Sequence, residues 1–93
     1  MGTYMVVATF REGTDMGEVF AVVAEEQAAV AALTEAGRLG AIHVSLERGT
    51  VFLETYAEDG EGAAATVGAL PMAAWWDLDV FPVPAPVVPG AGS

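Results

Sequence analysis

The stretch from Leu39 to Ala57 limits the possible folds most. Leu39 to Leu46 alternates apolar and polar residues with a period of two, Val51 to Ala57 is another β-rich run, and Glu47-Arg48-Gly49-Thr50 lies between them. A glycine-containing link of this length between two such runs predicts an antiparallel hairpin. A reversal at Arg48-Gly49 sets Leu46 opposite Val51, Val44 opposite Leu53, His43 opposite Glu54 and Ala41 opposite Tyr56. Ile42, Val44, Leu46, Val51 and Leu53 then share an apolar face, and Ala41, His43, Ser45, Phe52, Glu54 and Tyr56 share a mixed one. A slip of one residue would scramble both faces, so the agreement of the two strands supports the pairing.

The flanks of the hairpin complete the pattern. Thr3 to Phe10 is β-branched and aromatic and runs into Arg11-Glu12-Gly13-Thr14-Asp15, so a strand and then a loop are expected. Between Glu18 and Ala36, Val19, Val22, Val23, Val30 and Leu33 recur at helical spacing, with Gly37 placed to end the helix. After the hairpin, Asp59-Gly60-Glu61-Gly62 precedes an alanine-rich helix from Ala63 to Leu70, which Pro71 closes. Trp75 to Val83 supplies a last strand. The reading is an α+β domain of ferredoxin-like βαββαβ order over residues 1–83: a four-stranded antiparallel sheet with two helices on one face. Residues 84–93, PAPVVPGAGS, form a Pro/Gly-rich tail outside it. The last strand also splits into faces, with Trp76, Leu78 and Val80 on one and Trp75, Asp77, Asp79 and Phe81 on the other. The mixed face of the sheet is left without a cover in a chain of 93 residues, too short to bury a large share of its surface, so a second copy is expected over it.

Charge and composition narrow the function. Three basic residues against thirteen acidic ones give a formal net charge of -10, which disfavours nucleic acid and anionic membrane surfaces as partners. No apolar run approaches the ~20 residues of a membrane span. The absence of cysteine and the single histidine leave no disulfide, thiol nucleophile or multi-histidine metal cage, and neither a metal nor any other cofactor is expected. The N-terminus lacks a secretory pattern, which makes the cytoplasm the expected location.

Leu70-Pro71-Met72 followed by Trp76-Asp77-Leu78-Asp79-Val80 resembles the segment that leads into the last strand of muconolactone isomerases. Met5-Val6-Val7, Ala24-Glu25-Glu26 and Gly37 fall at compatible spacings, so the resemblance extends over Thr3 to Val83. It implies a dimeric α+β barrel, or a larger homo-oligomer, and a family of proton-shuffling reactions on small oxygenated rings. The corresponding second strand here, Leu39 to Ser45, contains no arginine, which argues against an anionic lactone. The barrel architecture is also similar to that of cofactorless quinone-forming monooxygenases and of small stress-response proteins.

Two sets of residues stand out as candidates for chemistry. Glu26 lies in the middle of the apolar helix stripe, where burial would raise its pKa toward the range useful for proton transfer, and it matches the glutamate of the family's helix motif. His43 with Glu54 opposite would make an oriented acid or base on the mixed sheet face. Ser45, Tyr56 and Asp77 would bind oxygen substituents, and Phe52 and Trp75 would form an aromatic wall for a small hydrophobic substrate. The function expected is a cofactor-independent isomerase or cyclase-like enzyme acting on a carbonyl- or lactone-bearing metabolite. A cofactorless monooxygenase and a non-catalytic binding or accessory barrel are the alternatives.

Overall fold

The computed structural model describes residues 1–84; apart from Pro84, the expected tail lies outside the described residues. The elements are β1 (Gly2–Phe10), α1 (Met16–Ala21), α2 (Val23–Glu35), β2 (Leu39–Ser45), β3 (Thr50–Ala57), α3 (Gly60–Gly68), a 3₁₀ turn (Pro71–Trp75) and β4 (Trp76–Val83). The strands form one antiparallel sheet in the order β2-β3-β1-β4. This is the ferredoxin-like α+β arrangement that the element order predicts.

Side-chain alternation decides which face is dry. Ile42, Leu53, Val6 and Val80 form one row across all four strands, and Val44, Val51, Ala8 and Leu78 form the next. Val6, Ala8 and Leu53 are almost fully buried, together with Ala63 and Val67 of α3, Leu70 and Trp76. Each buried side chain of Val or Leu size contributes about 1.5–3 kcal/mol relative to exposure. Trp76 also packs edge-on against Phe10, with ring centroids 5.9 Å apart and planes at 70°. The sheet interior is thus closed mainly by α3, which packs on β3, β4 and β1, whereas α2 meets the sheet at the edge strand β2 and also touches the 3₁₀ turn.

The hairpin register differs from the expected one. The chain reverses one residue earlier, through residues 46–49 instead of 47–50, where Arg48 N–H donates to Ser45 O at 3.2 Å and Gly49 N–H donates to Leu46 O at 3.3 Å. Ser45 therefore faces Thr50, Val44 faces Val51, His43 faces Phe52 and Ile42 faces Leu53, and an irregularity follows between Ile42 and Leu39. The displacement is an even number of residues, so from Ile42 to Ser45 the membership of the strand faces survives while every cross-strand partner changes; beyond the irregularity Leu39 is buried in the core and Gly40 faces Glu54 and Tyr56. Leu46 leaves the strand and is exposed in the loop.

The long helix expected from Glu18 to Ala36 is two helices. The chain breaks at Val22 (φ −108°, ψ 11°). No proline or glycine stands there; the adjacent β-branched Val22 and Val23 are the local weak point. Asp15 caps α1, accepting from Gly17 N–H at 2.9 Å. At the end of α2, Gly37 takes φ +76°, and the next N–H, from Arg38, donates to Leu33 O at 2.8 Å. This is a Schellman stop, which needs a residue tolerant of positive φ. The second helix begins at Gly60, earlier than expected, because Asp59 accepts from Gly62 N–H at 2.7 Å. Trp75 ends the 3₁₀ turn and does not belong to β4.

Candidate functional site

Because α2 rests over the sheet edge, a gap remains between its inner face and the strands. Val23, Glu26, Gln27, Val30 and Ala31 stand at positions i, i+3, i+4, i+7 and i+8 and so line one side of α2. Opposite them are Ile42 and Val44 of β2, Val51 and Leu53 of β3, Met72 of the 3₁₀ turn and Trp76 of β4. The cavity between them measures about 380 Å³. Its size lies at the lower end of the ~300–1,000 Å³ typical of small-molecule sites. This cavity is on the helix side of the sheet, opposite the face on which the ligand site is expected.

Glu26 is the single ionisable residue among the described residues lining the cavity, and it is only 8% exposed. The 3₁₀ turn explains why a carboxyl sits there. Pro71, at the start of that turn, has no N–H, and the next donor, Met72 N–H, has no partner within the turn and donates to Glu26 Oε1 at 2.9 Å. Removal from water disfavours the carboxylate, and the Met72 hydrogen bond only partly offsets this. The Glu26 pKa is therefore raised above the ordinary carboxylate value. Trp76, also on the cavity wall, has a buried Nε1–H with no protein acceptor among the described residues. The site combines an apolar wall with a carboxyl suited to holding a proton.

The remaining candidates, apart from Trp75, lie on the other side of the sheet. His43 is exposed and stands beside Phe52, with Val7 and then Asp79 further along the same row. The expected His43–Glu54 pair is not formed, because the hairpin reverses one residue earlier than expected and sets His43 opposite Phe52. Glu54 instead accepts a 2.5 Å hydrogen bond from the Tyr56 hydroxyl. That bond to the carboxylate raises the Tyr56 pKa, with lesser contributions from burial and from the charge of Glu54. Gly40 makes room for the arrangement: a Cβ there would collide with Glu54 Oε1 and Tyr56 Oη. Ser45 lies one row away, in line with Thr50, Thr9 and Asp77.

Asp77 is held by Arg11, whose Nε lies 3.0 Å from Asp77 Oδ1. The same guanidinium donates to Ala74 O at 2.8 Å and Trp76 O at 2.9 Å, fastening β1 to the start of β4. Trp75, in the 3₁₀ turn, does not join Phe52 in a common wall. Of the eight residues predicted for the site, the cavity thus contains Glu26 alone. Trp76, Met72 and Gln27 were missed. Gln27 follows Glu26 on the same helix face, and Trp76 shares the parity of the dry strand face, so both signals were present in the sequence.

Among the described residues there is no group of three or more His, Asp or Glu placed to hold a metal ion, and no helix long and apolar enough to cross a membrane. Fold and site together define an α+β domain of ferredoxin-like order with an apolar cavity and one buried carboxyl. No family model matches the chain, and no curated protein matches it.

Proposed function

We propose that the protein is an isomerase or cyclase-like enzyme in which Glu26 moves a proton on a small hydrophobic carbonyl or lactone bound in the α2–sheet cavity. One observation carries this reading: Glu26, the only titratable group on the cavity wall among the described residues, is buried, has a raised pKa and is held by Met72 N–H. A carboxyl whose pKa moves toward neutrality is a better general base and acid near physiological pH, and proton transfer needs no electron carrier. His43 becomes the weaker candidate, since it lies outside the cavity. The test is α-proton exchange into D₂O, followed by NMR over a panel of enolisable ketones and lactones. Wild type should exchange at least one; Glu26→Gln should lower that rate by ~10²–10⁴, and His43→Ala should stay within about twofold. Equal rates for wild type and Glu26→Gln would refute the assignment.

The reading includes a homodimer formed through the open sheet face. Support comes from Phe52 and Phe81, which are 37% and 52% exposed on that face, with Met5 and Val7 between them. Glu54, Asp77 and Asp79 share the face, so two copies would repel until salt screens them. Sedimentation should show dimers that tighten with ionic strength and are lost in Phe81→Lys. A monomer at all salt concentrations would remove this part of the proposal.

A further inference from the structure

We propose that the cavity admits an uncharged, ring-sized apolar molecule through the gap between α2 and the edge of β2, seats its carbonyl or hydroxyl against Glu26, and rejects anions. The inference rests on the same site as the proposed function and adds the charge of the ligand and its route.

The route follows from the gradient of exposure along the wall. Leu53, Trp76 and Val51 are 1%, 3% and 8% exposed and form the floor, whereas Val44 is 58% exposed and Gln27 and Ala31 are also open to solvent. The mouth therefore lies between the outer side of α2 and the β2 edge strand, flanked by Val44, Ala31 and Gln27.

The charge rule follows from what the wall lacks. None of its eleven residues is basic. Arg11 is committed to Ala74 O, Trp76 O and Asp77, and Arg38 donates to Thr66 Oγ1 at 3.0 Å. Arg48, the remaining basic residue, stands in the β2–β3 loop and does not line the cavity. An anion carried to the floor would be desolvated without a partner and placed beside a carboxyl. The formal charge of -10 opposes it before it reaches the mouth. A neutral carbonyl has no such penalty. Aromatic ligands also gain contact with the indole of Trp76.

The test compares two probes sharing one ring system, 2-acetylnaphthalene and 2-naphthoate, titrated into the full chain at neutral pH. Binding is read from the methyl NMR shifts of Val23, Val30, Ile42 and Leu53. The ketone should bind with shifts at these methyls, and naphthoate should bind at least about tenfold more weakly. Glu26→Gln should narrow that gap by relieving the carboxyl–carboxylate conflict. Val44→Trp, at a position 58% exposed, should weaken the ketone about tenfold with an unchanged melting curve. Naphthoate binding as tightly as the ketone overturns the proposal, as does saturable binding with shifts outside these methyls or no binding of the ketone up to its solubility. Ketone binding without proton exchange would defeat the catalytic reading of Glu26 and leave the selection rule standing. Exchange of an anionic substrate would do the reverse.

Discussion

Leu53→Ala tests whether the space beside α2 is an open cavity. Leu53 is 1% exposed, lies between Val6 and Ile42 in the core row and forms part of the cavity floor. The substitution deletes three carbons, a transfer loss of about 2.4 kcal/mol at ~0.8 kcal/mol per methylene. In a sealed interior the void adds a further cost, and such substitutions reach ~5 kcal/mol. Here the deleted volume joins a space that already opens at Val44, so that further cost largely disappears. The expected loss is about 2.5–3 kcal/mol, a fall in Tm of roughly 10–24 °C for a domain of this size. Val6→Ala is the control, since Val6 is fully buried and does not line the cavity. Its two missing carbons leave a closed void, so its loss per carbon should exceed that of Leu53→Ala. Urea unfolding followed by far-UV circular dichroism gives both values, provided the m-value is unchanged. A loss above about 4 kcal/mol for Leu53→Ala, or an equal loss per carbon in the two variants, would show that the cavity does not open beside Leu53.

Glu26→Gln should gain stability relative to wild type as pH rises. The folded-state pKa of Glu26 is raised, so the native protein holds this proton more tightly than the unfolded chain; that contribution is full below the unfolded carboxylate value and is lost as pH climbs to the folded one. Urea midpoints of both proteins across that window should diverge, and a constant difference would contradict the burial of the carboxyl. Asp77→Asn should cost less than about 0.5 kcal/mol because the ion pair is exposed, whereas Arg11→Met should cost about 1–2 kcal/mol by stripping two carbonyls of a charged donor. Thermal melts of the two variants decide this, and equal losses would assign the stability to the ion pair. In a Tyr4→Phe background, Glu54→Gln should let the Tyr56 phenol ionise at lower pH in an ultraviolet titration. An unmoved curve would mean that Glu54 does not hold the phenol.

Local chemistry determined the elements and their faces. Period-two alternation marked β2 and β3, the stripe of Val19 to Leu33 marked the helical region, and Gly37 and Pro71 marked stops that the structure keeps. Glu26 was legible for the same reason: a carboxyl in an apolar stripe must either escape to water or find a partner within the protein. What the sequence could not supply was its partner. Met72 N–H is 46 residues away, and only the packing of the 3₁₀ turn on α2 brings it to Glu26.

The hairpin register and the location of the cavity were likewise tertiary. Alternation is unchanged by a two-residue slip, so it could not separate a His43–Glu54 pair from the His43–Phe52 pair that forms. Helical periodicity says which side of α2 turns inward but not how far over the sheet the helix lies. Because α2 settles on β2 while α3 closes the center, the gap opens beneath Glu26 and leaves His43 on the far face. Short-range pattern therefore set what each segment is, and the relative placement of whole elements decided which side chains share a site.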